Sequence, residues 1–141
     1  TKGKFLGKVI KKLSSKGFKL NITAIYDFNQ VKKILKIVNK KSNTIISIFV
    51  GRMADAGKDP LPIIKKSVAL TRKYKNIKIL WASTREPYNY IQSCNYMCDI
   101  ITMPPSIIEK ISKFGKSFKS LTLSTVKTFY KDALKAKFKI N

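Results

Sequence analysis

Two arginines that follow apolar segments are the side chains of this chain best suited to binding an anion. The apolar segment Thr44–Val50 ends two residues before Arg52, and the segment Ile77–Ala82 ends three residues before Arg85. The chain has 30 lysine and arginine residues together, and besides Arg52 and Arg85 its one other arginine is Arg72. A guanidinium presents a planar set of donors that matches phosphate oxygens, which an ammonium group does not. The spacing therefore predicts an anion site that uses Arg52 and Arg85. The alternative is that both are ordinary loop arginines.

The alternation of strand and helix patterns predicts how these arginines are positioned. Short apolar, β-branched segments alternate with amphipathic segments, which is typical of βα units in a parallel sheet. The carboxyl ends of parallel strands share one edge, where ligands bind in α/β proteins. We expect an α/β fold with four adjacent parallel strands in sequential order and helices on the outer face. The predicted strands are Phe18–Ile25, Thr44–Val50, Ile77–Ala82 and Asp99–Met103.

Helices are predicted from apolar spacing and from capping residues. Asp27 is expected to cap the helix after the first strand, and Pro60 or Pro62 is expected to open the helix before the third. Arg52 is expected to lie in a loop that continues to Pro60. The last helix is predicted over about Thr122–Lys137 as an amphipathic helix that docks through one apolar face.

Length and composition limit the function classes. The chain has 141 residues, the length of one domain, so 1–141 is predicted to be a single domain. It contains no run of about 18 apolar residues, so no membrane span or membrane partner is expected. The polar start lacks a secretory signal pattern, which favours a cytoplasmic location. The chain has no histidine, and its cysteines are Cys94 and Cys98, so no metal site is predicted and both cysteines are expected to be buried.

The formal net charge of +23 raises the question of nucleic-acid binding. A basic chain can bind polyanions through its overall charge. Here the lysines are spread through most helical segments, and aromatic residues are not interleaved with them as a base-stacking surface requires. A basic nucleic-acid-binding domain is therefore the less favoured alternative, and no nucleic-acid partner is predicted.

Three motifs, in this order and at these spacings, resemble transaldolase. They are Asn21-Ile22-Thr23, the segment from Ser47 to Arg52, and Ala82-Ser83-Thr84-Arg85. The resemblance covers essentially the whole chain, including a segment similar to the family's closing helix. Transaldolases are (β/α)8 TIM barrels of the class I aldolase type. The resemblance therefore implies a half-barrel fragment that covers strands 5 to 8 and runs to the C-terminus.

The resemblance assigns the anion site to a substrate phosphate. Arg52, Ser83 and Arg85 match the family's phosphate clamp, which holds the distal end of a sugar phosphate. At Ile48 and Thr84 the chain departs from the common enzyme, which implies a shorter, divergent branch and leaves the acceptor sugar open.

The resemblance also implies catalytic roles for three residues near the reacting carbons. Thr23 matches a threonine that helps to position the catalytic water, and Ser47 matches a serine near the bound three-carbon unit. Phe49 matches the aromatic residue that separates transaldolase, which has Phe, from fructose-6-phosphate aldolase, which has Tyr. The alternative for Phe49 is a plain core aromatic.

The implied activity is that of a transferase of carbohydrate metabolism, in the pentose phosphate pathway. A dihydroxyacetone unit passes from a phosphorylated ketose to a phosphorylated aldose through a lysine Schiff base, without metal or cofactor. The family's lysine lies on the fourth strand, upstream of Thr1, so this fragment alone is expected to be inactive. The full-length protein is expected to form a homo-oligomer. The alternatives are a fructose-6-phosphate aldolase-like enzyme and a non-catalytic homologue that binds sugar phosphates.

Overall fold

The computed structural model describes residues 4–136 of the chain. Its contacts divide the chain into two compact units, Thr1–Ile108 and Glu109–Asn141, and the prediction of a single domain over 1–141 stays a prediction. The first unit contains α1 (Gly7–Ser15), β1 (Leu20–Ile25), α2 (Phe28–Ile37), β2 (Thr44–Phe49), α3 (Val50–Asp55), α4 (Leu61–Thr71), β3 (Ile77–Ala82), α5 (Tyr88–Asn95) and β4 (Ile100–Ile101). Helix α6 (Pro105–Ile111) crosses the division, and α7 (Phe118–Lys135) belongs to the second unit.

The first unit is built on one parallel sheet of four strands in the order β1-β2-β3-β4. This confirms the predicted α/β fold and strand order. The register places Ile22 beside Ile46 and Ile46 beside Ile79, so one row of β-branched side chains crosses three strands. Such side chains pack well on a pleated surface, which explains why these segments form the sheet.

One face of the sheet is covered by helices and forms the core. Ile46, Ile48, Ile79 and Trp81 are fully buried, with 0% exposure. They belong to the same core cluster as apolar residues of α2 and α4. Successive strand residues point to opposite faces, so the residues between these four lie on the other face of the sheet.

The first and fourth predicted strands differ most from the structure, and the first begins at Leu20 instead of Phe18. The fourth is only Ile100–Ile101, instead of Asp99–Met103. Its late start is explained at Asp99, whose carboxylate Oδ2 accepts the Ile79 amide at 2.8 Å and so takes the place of a backbone acceptor in the ladder. The second strand ends at Phe49, because Val50 starts a helix.

Helix α2 begins as predicted. The Asp27 carboxylate accepts the Asn29 amide at 2.9 Å, and Gln30 Oε1 accepts the Asp27 amide at 3.0 Å. This reciprocal capping box satisfies amides that have no partner within the helix. The start of α2, the helix that precedes β2, is therefore fixed at Asp27.

The expectation that Arg52 lies in a loop was wrong. Arg52 belongs to the six-residue helix α3, which follows β2 directly. Val50 and Met53 are buried in the core cluster, with 3% and 4% exposure. Their spacing of three residues matches one face of a helix, so packing of these two side chains favours a helical turn over an open loop.

The second unit contains an amphipathic helix that begins earlier than predicted. Helix α7 starts at Phe118 because Ser117 caps it, its Oγ accepting the Ser120 amide at 3.2 Å. The predicted end at Lys137 lies outside the described residues. No residue of α7 within the described chain is buried, so docking through its apolar face stays a prediction.

The prediction that both cysteines are buried was wrong for Cys94. Cys94 is exposed and Cys98 is half-buried. Helix α5 buries Asn89 and Ser93 instead, which leaves the neighbouring Cys94 on the solvent side. In the part of the chain that the structure covers, no helix is long and apolar enough to cross a bilayer.

Candidate functional site

A cavity of about 340 Å³ lies at the carboxyl edge of the sheet, within the first unit. All six site residues predicted from the sequence line it. The lining residues are Asn21, Thr23, Ser47, Phe49, Arg52, Leu80, Ala82, Ser83, Arg85 and Thr102. The structure therefore brings the predicted residues together, while their chemical roles remain predictions.

The alternation of side chains along β2 and β3 explains this grouping. Ser47 pairs with Leu80 and Phe49 pairs with Ala82 in the parallel register. These residues alternate with the buried Ile48, so they face away from the helices. Phe49 and Ser47 therefore share the side of the strand that lines the cavity.

A bulge in β1 keeps Thr23 at the cavity. Ile22 pairs with Ile46 and Ile25 pairs with Ile48, so the first strand has one more residue than its partner over this interval. The extra residue is accommodated at Ala24, whose φ of 58° lies in the left-handed region. Thr23 is therefore exposed at the cavity, whereas Ile25 returns to the core.

Asn21 is a site residue that the prediction did not include. The buried Ser47 hydroxyl donates to Asn21 Oδ1 at 2.6 Å. This hydrogen bond fixes the direction of both polar groups inside the cavity. The available signal was the spacing of two residues between Asn21 and Thr23, which places both on one face of a strand.

Helix α3 and the loop after β3 approach each other closely at Gly51. A Cβ at this position would lie 1.6 Å from the Ser83 carbonyl oxygen, so only glycine fits. Ser83 itself has a φ of 66°, an uncommon conformation for a residue with a side chain. The close contact brings Arg52, the next residue of α3, to the same edge as Arg85.

The two arginines have different surroundings. The Arg52 guanidinium lies 5.6 Å from the centre of the Phe49 ring, a distance suited to a cation–π interaction. The Phe49 ring in turn contacts Tyr26 edge-on, with 5.8 Å between ring centres. Among residues 4–136, no carboxylate forms an ion pair with Arg52, which leaves its donors accessible to an anion.

Arg85 is held by Asp55, a second residue that the prediction did not include. Arg85 Nε donates to both carboxylate oxygens, at 3.1 and 3.0 Å, and Nη2 donates to Oδ2 at 2.6 Å. These hydrogen bonds, with the charges of Arg85 and Arg52, hold the pKa of the Asp55 carboxyl below its usual range. The same contact raises the pKa of Arg85. Both groups are therefore charged at neutral pH.

The backbone of Arg85 is fixed by Asn89 of α5. Asn89 Oδ1 accepts the amides of Arg85 at 3.0 Å and of Glu86 at 3.3 Å. The Thr84 hydroxyl donates to the Thr102 carbonyl at 2.7 Å. The loop after β3 is thus tied to two neighbouring elements, and the sequence alone offered no signal for either contact.

Three lysine side chains lie at the amino edge of the sheet, opposite the candidate site. A second cavity, of about 330 Å³, is lined by Lys19, Lys75 and Lys78 among other residues. Lys78 Nζ also forms an ion pair with Asp99 at 2.9 Å. No lysine of the described chain lines the carboxyl-edge cavity. The arrangement there can bind an anion, and its described residues present two guanidinium groups but no primary amine.

Comparison with known proteins matches the chain to one enzyme family. The family model for Transaldolase/Fructose-6-phosphate aldolase matches residues 5–141. A probable transaldolase of Nitrosopumilus maritimus is 30% identical over 132 residues, which cover 92% of this chain and 55% of that protein. A probable transaldolase of Caldicellulosiruptor saccharolyticus is 33% identical over 127 residues, covering 89% and 54%. The chain thus spans about half the length of the curated relatives it matches.

Proposed function

Because this chain belongs to the transaldolase/fructose-6-phosphate aldolase family, we propose that it provides the phosphate-binding side of a transaldolase site. The reaction is the transfer of a dihydroxyacetone unit between sugar phosphates. The observation that carries the proposal is the cavity at the carboxyl edge, which is lined by all six residues that the resemblance singled out. Ligands bind at this edge in folds built from parallel βα units.

The phosphate group binds at the outer end of the cavity. Arg52 and Arg85 supply positive charge, and Ser83 supplies a hydroxyl beside them. A guanidinium matches phosphate oxygens in shape as well as charge. Binding energy from this non-reacting group aligns the carbon chain, which favours reaction at the other end of the substrate.

The carbon chain extends from the arginines toward Ser47 and Asn21. Ser47 lies two residues before Phe49 on β2, which corresponds to about 7 Å deeper along the strand. The hydrogen bond between Ser47 and Asn21 offers fixed polar partners for substrate hydroxyls. Thr23 holds the catalytic water at the mouth of this polar region.

The Schiff-base lysine comes from a segment upstream of this chain. The chain spans about half of its relatives' length, and no lysine of the described part lines the cavity. We propose that the sheet provides strands 5 to 8 of a (β/α)8 barrel and that an earlier strand carries the amine. Covalent transfer needs such an amine close to the substrate carbonyl.

Two alternatives use the same cavity. The absence of a lysine lining it within residues 4–136 would also suit a homologue that binds sugar phosphates without catalysis. An aldolase-like reaction is less favoured, because the ring that faces the cavity beside Arg52 is phenylalanine, the transaldolase residue.

The phosphate assignment is tested by Arg52→Lys in the intact protein. We expect the affinity for fructose 6-phosphate to fall at least tenfold, because charge-assisted guanidinium contacts are lost, with little change for unphosphorylated fructose. Arg72→Lys is the matched control, since Arg72 is exposed and contacts the Met97 sulfur elsewhere. Equal losses for the two sugars would mean that Arg52 is structural.

Borohydride trapping with fructose 6-phosphate separates the catalytic proposal from its alternatives. The intact protein should form a stoichiometric lysine adduct, and the 141-residue chain alone should form none. An intact protein that binds the sugar phosphate without forming an adduct would favour the non-catalytic homologue. A specific adduct on a lysine of the isolated chain would contradict the placement of the amine upstream.

A further inference from the structure

A carboxylate occupies the donors that a substrate phosphate would use. We propose that Asp55 is a specificity-determining residue. It binds Arg85 in the anion-free protein and is displaced when a phosphate group binds. This inference rests on the proposed function. Asp55 ends α3, three residues after Arg52. It therefore lies about one helical turn from Arg52 and is in direct contact with Arg85.

The hydrogen bonds show what a phosphate has to replace. Arg85 presents Nε and Nη2 as one edge of its guanidinium, and both donate to the Asp55 carboxylate. This paired edge is the one that also matches two oxygens of a phosphate. A phosphate that uses it competes with the carboxylate directly.

The pair is exposed enough to exchange partners. The side chains of Arg85 and Asp55 are 49% and 50% exposed, so water and dissolved anions reach both. Ion pairs in such surroundings are weak. A phosphate dianion carries more charge than the carboxylate and interacts with Arg52 at the same time, so it displaces Asp55 where a singly charged anion competes less well.

The position of Arg52 suggests the order of events. Its guanidinium lies over the Phe49 ring and has no ion-pair partner within the described chain. An incoming phosphate therefore contacts Arg52 first. Its negative charge then repels Asp55 and attracts Arg85, which transfers from the carboxylate to the phosphate.

The experiment is titration of the intact protein with inorganic phosphate, followed by calorimetry. Asp55→Asn removes the competing charge and should bind phosphate about two- to fivefold more tightly, the range expected for an exposed ion pair. Asp59→Asn is the matched control. The Asp59 carboxylate accepts the Leu61 amide, a role that the asparagine oxygen retains, so phosphate affinity should stay unchanged.

A second variant and a spectroscopic readout keep the test decisive. Asp55→Ser should shift the affinity in the same direction, and it replaces Asp55→Asn if that variant does not fold. In the unsubstituted protein, the nuclear magnetic resonance signal of Arg85 Nε–H should move on adding phosphate. Unchanged or weaker phosphate binding by the Asp55 variants, or an unmoved Arg85 signal, would overturn the inference.

Failure of this inference is distinguishable from failure of the proposed function. If Arg52→Lys weakens phosphate binding and Asp55→Asn does not strengthen it, the phosphate site stands and the competition is refuted. If Arg52→Lys and Arg85→Lys both leave phosphate affinity unchanged, the proposed phosphate site itself is refuted.

Discussion

The two faces of the parallel sheet use neighbouring residues of the same strands for different purposes. On the face covered by helices, Ile46, Ile48 and Trp81 are completely buried. On the other face, Ser47 and Phe49 line the candidate site. Since the side-chain period of a strand is two residues, the stability of the fold and the chemistry of the site are carried by alternating positions. Each can therefore be changed with limited effect on the other.

Substitution of adjacent isoleucines on β2 gives the largest expected difference between the faces. Ile46→Ala should lower the free energy of unfolding by about 2–5 kcal/mol, because it leaves a cavity in a fully packed core. Ile45→Ala, at a half-buried position on the opposite face, is the matched control and should cost clearly less. Urea unfolding of both variants measures the difference, and equal costs would contradict the separation of the faces.

Gly51→Ala should affect both stability and anion binding, because Gly51 lies where α3 packs against the loop that carries Ser83 and Arg85. The new Cβ would overlap the Ser83 carbonyl, so α3 or the loop after β3 must move. Overpacking of this kind costs about 1–3 kcal/mol, and we expect phosphate affinity to fall with stability. Ala54→Gly changes an exposed position of the same helix and should affect stability alone. Unchanged phosphate affinity in Gly51→Ala would mean that this contact does not position the arginines.

Ser47→Ala tests the separation of the two faces at a residue that lines the candidate site. Loss of its hydrogen bond to Asn21 should lower the free energy of unfolding by about 1 kcal/mol. If the proposed function holds, turnover by the intact protein should fall by more than this loss of stability explains. Ser42→Ala removes a similar buried hydrogen bond, to the Phe18 carbonyl at 2.8 Å, away from the cavity. It should cost similar stability and leave turnover unchanged; equal loss of turnover in both would assign Ser47 a purely structural role.

Thiol labelling tests whether the core on the helix-covered face of the sheet extends to Cys98. Of the four tests, it has the smallest expected effect on stability. Burial, with smaller contributions from Asp99 and Cys94, raises the pKa of Cys98 to about 12. Its thiol is therefore neutral in the folded protein well above the ordinary cysteine pKa of about 8.5, and the stability from keeping it neutral is lost only as pH rises from 8.5 toward 12.

Iodoacetamide at pH 8 should accordingly modify the exposed Cys94 and spare Cys98, because the thiolate is the reactive form. Peptide mass spectrometry locates the adducts, and unfolding in urea should make both cysteines reactive. Equal labelling in the folded protein would show that the core does not extend to Cys98.

The strands were predictable because their signal is local. Runs such as Thr44–Val50 combine β-branched residues with a defined end. The six residues that the family motifs singled out line one cavity, and their roles stay predictions. Asp55 was not predictable, because its partner Arg85 is 30 residues away in the sequence and only the tertiary fold joins them. Helix α3 was missed for a similar reason: Val50 and Met53 favour a helix only once a core exists to receive them.

In the isolated 141-residue chain, without the further barrel strands proposed above, β1 and β4 are the edges of the sheet, and they affect how that chain behaves in concentrated solution. One edge strand, β4, is two residues long and is followed closely by Pro104 and Pro105. The other edge strand, β1, carries the bulge at Ala24. Short and bulged edges are poor templates for strand addition from another molecule. Removing the bulge by deleting Ala24 would straighten this edge and expose a longer run of unpaired backbone groups, which would favour edge-to-edge aggregation.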